Sequence, residues 1–397
     1  MIDWDPVLRM ALLGVLIALG PLAWLWLRHR GAAPATRLRA LVAITLFLTF
    51  DLVLFGAYTR LSDSGLGCPD WPGCYGSASP IGAREEIDAA QTALPSGPVT
   101  QGKAWIEMVH RYLATAVGFL IMVIAVTSWG LRWRARRTAA AAAAQGPVST
   151  PVWATLTLVW VIVQGAFGAL TVTMKLYPAI VTLHLLGALV LLSLLVVQRE
   201  ALSPLPLVLS PALRAGAWAV AALVLVQAAL GAWVSSNYAM LACSDFPTCQ
   251  GRWWPPMDFE QGFTLQRGLG QTASGGYLPF AALTAIHFTH RAMAAVLLLA
   301  MGALAWSLQR EARRSARPEL ARVALGLVLL GAWQVASGLS NVVLGWPLVA
   351  ALAHSGGAAA LAVLMAHVLA RAHLRPASAH RAAAPRSRAS GRQPLRA

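Results

Sequence analysis

The sequence predicts an all-α integral membrane protein: two four-helix bundles related by a pseudo-twofold parallel repeat, plus one extra N-terminal transmembrane helix. Three observations predict it. Apolar runs of about 20 residues, long enough to cross a bilayer, recur along the chain. The connections between them alternate between arginine-rich and base-poor. One stretch occurs twice: Gly56 to Gly76, GAYTRLSDSGLGCPDWPGCYG, aligns without a gap on Gly231 to Gly251, GAWVSSNYAMLACSDFPTCQG. A duplication of that length makes the chain two halves of one design.

Composition supports the membrane reading. Only 12% of the residues are charged, about half the fraction of a soluble domain. The net charge of +16 does not mark a nucleic-acid binder, because it is not laid out as an interleaved basic and aromatic surface. Seven arginines and no acid lie between Arg371 and Ala397, and most other arginines lie in short loops on one side. That is the positive-inside pattern with a basic tail beside anionic lipid.

Span 1, about Val7 to Leu27, follows Asp3 and Asp5 and precedes Arg28 and Arg30. A signal peptide has the opposite charge order, so this is a retained span with its N-terminus outside. It has no counterpart in the second half. Span 2, about Ala40 to Tyr58, enters the first Cys loop, where residues 59 to 104 carry five acids against three bases. Span 3, about Trp105 to Leu131, ends in RWRARRT and an alanine-rich cytoplasmic linker. Span 4 (Val152 to Thr173, with QGAFGALT) and span 5 (Ala179 to Val197) flank the short turn MKLYP. A Pro-rich linker, Arg199 to Arg214, separates the halves. Span 6 (Ala215 to Val234) enters the second Cys loop, residues 235 to 283, and span 7 (Leu283 to Leu308) leaves it. Five arginines between Arg310 and Arg322 precede span 8 (Val323 to Leu344, with QVASGLSN) and span 9 (Leu348 to Leu369). The expected units are therefore 1–37 (accessory helix and basic loop), 38–200 (first four-helix half), 201–370 (second half) and 371–397 (basic disordered tail).

Four histidines fall inside spans, and the repeat pairs them. His110 in EMVHRYLA matches His290 in HFTHRAMA; His184 in HLLGA matches His354 in HSGGA. At 1.5 Å rise per residue all four lie roughly 10 Å inside the outer surface. A lone histidine in a membrane helix usually serves an interhelical hydrogen bond. Four, matched by repeat and by depth, point instead to ligation. Neutral imidazole is an axial ligand for haem iron, and bundle cores hold cofactors, so the spacing suggests one bis-histidine haem site per half. Zinc fits less well, since neither half offers a four-ligand set.

Glu107 lies one turn before His110 and on the same face, where the second half has His287. A carboxyl at membrane depth is costly, so it is expected either to relay a proton beside the bound group or to hydrogen-bond the backbone as a neutral acid. His287 is a spare ligand or a group behind one, with His290 the better ligand by the repeat. Arg111 and Arg291 are placed either to face haem propionates or to reach lipid headgroups. Asp51 has no counterpart and reads as a buried, protonated structural group. All four cysteines lie in the repeated loops, consistent with an oxidising compartment and with disulfides Cys68–Cys74 and Cys243–Cys249. The second pair reads as a staple; the first is either a staple or a redox pair.

Taken together, the first Cys loop, EMVHRYLA, TLHLLGA, the second Cys loop and AIHFTHR resemble the haem A synthase family, bacterial and mitochondrial, from about Leu38 to Leu369. Both cysteine pairs are present, as in the cysteine-containing subgroup. The resemblance implies an oxidoreductase that converts the C8 methyl of haem O to a formyl group for cytochrome oxidase, through successive hydroxylations and loss of water. It implies a resident haem b on His290 and His354, substrate haem on His110 and His184, and Glu107 as catalytic carboxylate. It also implies a haem O synthase that hands over substrate, an unidentified electron donor, and a multi-pass position in the bacterial inner membrane with periplasmic Cys loops and a cytoplasmic tail. A di-haem b, quinol-oxidising electron carrier would use the same four histidines; a haem transporter would need broken helices, which these spans lack.

Overall fold

The computed structural model describes residues 5–137, 151–202 and 205–373. The alanine-rich part of the linker after span 3 and nearly all of the basic tail lie outside the described residues. Among the described residues the chain is helical without strands. Nine helices among the described residues are long and apolar enough to cross a membrane: α1 (Asp5–Arg28), α2 (Pro34–Leu61), α4 (Gln101–Ala135), α5 (Val152–Thr173), α6 (Pro178–Ala201), α7 (Pro211–Ser236), α9 (Phe280–Ser315), α10 (Pro318–Val343) and α11 (Leu348–His373). Two short helices, α3 (Arg84–Ala93) and α8 (Phe259–Phe263), sit inside the Cys loops.

Local signals start these helices where they start. Proline occupies the first turn of α2, α6, α7 and α10, where its missing N–H costs nothing. Thr100 caps α4, accepting from the Lys103 N–H, and Ser210 caps α7 in the same way. Helices α4 and α9, 35 and 36 residues long, are longer than a bilayer core requires, so their ends run beyond it.

Packing follows a regular order. Helix α2 packs on α4, α4 on α5, α5 on α6, and α6 back on α2; α7 packs on α9, α9 on α10, α10 on α11, and α11 back on α7. Contacts α6–α7, α6–α11 and α2–α11 join the two sets. Helix α1 lies outside the first set, against α4 and α2. Gly14 of α1 makes that approach possible, because a Cβ there would stand 2.7 Å from the Thr115 Cβ. Large apolar side chains such as Leu299 and Val349 face outward, as a lipid-facing surface requires.

Polar clasps tie the sets together at both ends. On the Cys-loop face, Arg60 Nη2 donates to the Ser235 carbonyl at 2.6 Å and its guanidinium covers the Tyr238 ring. The Tyr238 hydroxyl in turn donates to Asp63 at 2.6 Å. On the opposite face, Glu200 at the end of α6 lies 3.2 Å from His367 Nδ1 of α11.

Candidate functional site

The two Cys loops are built alike. Disulfides join Cys68 to Cys74 and Cys243 to Cys249, with Cα separations of 4.9 and 4.6 Å. Each second cysteine opens a two-residue turn with both residues at positive φ: Tyr75 and Gly76 in one loop, Gln250 and Gly251 in the other. Asp70 accepts from the Tyr75 and Gly76 N–H groups at 2.7 and 2.8 Å. Asp245 accepts from Gln250 and Gly251 at 2.6 and 3.0 Å. The Thr248 hydroxyl, followed by these turn amides, holds the Asp245 carboxyl below its ordinary range.

Each loop folds back onto the helix that follows it. Glu107 Oε2 accepts from the Cys68 N–H at 2.8 Å, and Oε1 pairs with the Arg111 guanidinium. In the second half His287 takes the same place, with Nδ1 3.3 Å from the Cys243 nitrogen and Nε2 3.3 Å from Arg291 Nε. Of the two roles expected for His287, spare ligand or group behind one, the second matches this place: Nδ1 is turned to the loop and Nε2 to Arg291. The arginines are engaged by the loops as well. Arg111 donates to the carbonyls of Asp70, Pro72 and Gly73, and Arg291 to those of Cys243, Asp245 and Thr248. Both guanidinium groups clamp the Cys loops. Loop carbonyls left by a tight turn need donors, and the long arginine one turn below reaches them.

The four histidines lie deeper. His184 and His354 are each the seventh residue of their helix, α6 and α11. Each of the four rings lies against a glycine of a neighbouring helix, and the glycines are themselves matched by the repeat. A Cβ at Gly56, Gly168, Gly231 or Gly338 would stand 3.0, 3.6, 3.1 and 3.2 Å from Cε1 of His110, His184, His290 and His354 respectively. The rings of His290 and His354 face each other with centres 6.4 Å apart and planes at 80°. Two imidazoles sharing one metal at about 2 Å would place their ring centres roughly 6 Å apart, a spacing close to that of this pair.

The surroundings of the ring nitrogens differ between halves. Neither His110 Nδ1 nor His184 Nδ1 has a hydrogen-bond partner, although both are buried. His354 Nδ1 lies 3.0 Å from the Ser337 hydroxyl, and the Gln227 amide lies 3.1 Å from His290 Nδ1. The Phe55 ring stacks beside His110. Glycine at all four rings makes room for the imidazoles between the helices, and two of them keep a buried nitrogen without a partner. Among the described residues no group of three or more His, Cys, Asp or Glu comes together.

Asp51 departs from expectation. It lies on the exposed side of α2, beside exposed Phe47, rather than inside the protein. Which side of a helix is covered depends on its neighbours, and nothing in the local sequence of α2 reveals it.

Comparison with known proteins agrees with this geometry. Residues 39–366 match the COX15-CtaA family, described as cytochrome oxidase assembly proteins. A haem A synthase of Shewanella oneidensis is 38% identical over 325 residues, covering 81% of this chain and 92% of the relative. Haem A synthases of Halalkalibacterium halodurans and Symbiobacterium thermophilum are 26% and 29% identical, covering 77% and 76% of this chain and 86% and 85% of theirs.

Proposed function

Since the chain belongs to the COX15-CtaA family of cytochrome oxidase assembly proteins, we infer that it is a haem A synthase, a membrane oxidoreductase that makes haem A from haem O. The facing pair His290 and His354, repeated as His110 and His184, is the observation that carries the finer reading. In that reading the packing order of the helices forms two four-helix units, residues 38–200 and 201–370. The second holds a resident haem b on His290 and His354. The first takes haem O on His110 and His184. The residues present fit both groups, because each half offers two imidazoles seated against glycines, the His290 and His354 ring centres lie 6.4 Å apart, and the Nδ1 atoms of His110 and His184 are buried without a partner.

A resident haem b would supply one-electron transfer. The chain's own residues do the rest. His110 and His184 hold the substrate so that its periphery faces the Cys-loop end of α4. There Glu107, paired with Arg111 and closed over by the Cys68–Cys74 loop, holds or takes a proton as the C8 methyl is oxidised to a formyl group. The second half has no carboxylate at this place, which supports chemistry in the first half only. Both disulfides act as staples for the loops that close over the two sites. The Cys loops lie on the periplasmic side of a bacterial inner membrane. A haem O synthase delivers the substrate. With dioxygen as the oxidant, each of the two successive hydroxylations uses two electrons and two protons from a separate reductant and releases one water, and the resulting gem-diol loses water to give the formyl group.

Membranes carrying this protein together with a haem O synthase are expected to yield haem A, or its hydroxylated precursor, by mass analysis of extracted haems. The synthase alone should yield only haem O and haem b. Two firmly bound haem b groups with no oxidised product would favour the electron-carrier reading instead.

The glycine cradle gives a second expected result. A leucine at Gly231 would overlap the His290 ring, so Gly231→Leu should lose most of its haem b, read from the Soret absorbance per protein. Leucine at Gly302, where a Cβ meets nothing within 4 Å, should leave it unchanged.

A further inference from the structure

We propose that Ser337 is a positioning residue that makes the second-half haem resident, and that phenylalanine at the matching place leaves the first-half haem exchangeable. This rests on the assignment of His290 and His354 to the resident haem and of His110 and His184 to substrate.

An enzyme whose substrate and cofactor are both haems, each gripped by two histidines, faces a specific difficulty. One haem must stay and the other must leave after each turnover. The first-rank ligands cannot make the difference, because they are the same four imidazoles. The difference must come from what stands behind them.

The structure shows such a difference. The Ser337 hydroxyl is 2.7 Å from the Trp333 carbonyl and 3.0 Å from His354 Nδ1. A hydroxyl has one hydrogen, and the short contact to the Trp333 carbonyl uses it. Towards His354 the oxygen is left to accept. Nδ1 therefore carries the ring hydrogen, and Nε2 presents its lone pair. Gln334 fixes the same residue by donating from Nε2 to the His354 carbonyl at 3.0 Å. A ligand histidine that donates its second N–H is locked in one tautomer and made more basic, which strengthens its bond to the metal.

The repeat places Phe167 opposite Ser337, since QGAFG aligns on QVASG. Phenylalanine cannot accept a hydrogen bond, and His184 Nδ1 is buried with no partner. The other pair shows the same bias. Gln227 Nε2 donates to the His290 carbonyl at 3.1 Å and lies 3.1 Å from His290 Nδ1, so it holds the residue in place without accepting the ring hydrogen, whereas Leu52 stands at the matching place and His110 Nδ1 has no partner. Both histidines of the second half thus have a polar neighbour, with an acceptor behind the ring at His354, while neither Nδ1 of the first half has a partner. The polar support is on the side that must retain its haem.

The test uses purified full-length protein and apomyoglobin as haem acceptor. Ser337→Ala is expected to release the second-half haem roughly 10- to 100-fold faster, the usual effect of removing a partner behind a metal ligand. Its midpoint potential should move positive, because a less basic imidazole favours the ferric state less. Ser337→Thr keeps the acceptor oxygen and should restore both values. Unchanged release and potential in Ser337→Ala, beside a haem-free His354→Ala control, would overturn the role of Ser337 and leave the assignment of the halves intact. Haem retained by His354→Ala would overturn the assignment itself, and the role of Ser337 with it. A rise in release rate that Ser337→Thr fails to reverse would show loss of packing rather than of the hydrogen bond, and would also overturn the proposal.

Discussion

His354→Ala is expected to purify without its resident haem while the fold and the first-half site persist. His354 sits in the second turn of α11, inside the helix, where alanine is an excellent helix former, so the helix itself should not suffer. What is removed is one of two imidazoles whose ring centres stand 6.4 Å apart. The remaining His290 holds the iron from one side only, and the Ser337 hydroxyl is left beside an empty space with no metal ligand to orient. Loss of an axial ligand removes direct bonding to the metal, so its effect should exceed that of any residue behind the ring. Haem b content by absorbance should fall to near background. His184→Ala is the matched control: it should keep haem b and lose product formation, because it disables the other half. The reverse pattern, with haem b lost in His184→Ala and kept in His354→Ala, would exchange the roles of the halves.

How far these residues were legible beforehand depends on what each property requires. Apolar run length alone specifies the nine spans, and the Cys-x5-Cys repeat aligns the halves residue by residue. The pairing of His110 with His290 and of His184 with His354 follows from that alignment without any coordinates. Burial does not. Asp51 looks like an interior group in one dimension, yet α2 presents it outward because α4, α6 and α11 cover other sides of that helix. The arginines show the same limit. Arg111 and Arg291 sit at ligand depth, but their guanidinium groups are claimed by loop carbonyls from residues 38 to 48 positions away in the chain. Only the fold of the Cys loop brings those carbonyls close. The residues behind the ligands were hidden differently. Ser337 and Phe167, or Gln227 and Leu52, are ordinary membrane residues taken singly. The signal lies in the comparison, a polar residue in one half against an apolar one at the matched place in the other.

The last prediction uses that comparison. Glu107→His is expected to keep the Cys68–Cys74 loop closed and haem bound, while haem A formation falls about 100-fold or more, the usual weight of general acid–base catalysis. Alanine would be a poor probe. Glu107 is 4% exposed and ion-paired with Arg111, and breaking a buried pair by removing one partner costs about 3–5 kcal/mol. Lost activity would then mean only a lost fold. Glutamine preserves the shape but turns an amide N–H2 towards either the arginine or the Cys68 N–H. Histidine is different, because the protein already uses it: His287 occupies this place in the second half, between the Cys243 N–H and Arg291. A neutral imidazole has one lone pair for two donors, yet there Arg291 still finds three loop carbonyls, as Arg111 finds three in the first half. The loop should therefore survive the exchange, which disulfide mapping and thermal stability in detergent can verify. Normal haem A output from a folded Glu107→His protein would reduce Glu107 to a clamp for the Cys loop. Loss of output with haem b and the loop intact would mean that the carboxylate acts on the substrate, and that its absence from the second half is what keeps the resident haem from being oxidised in place.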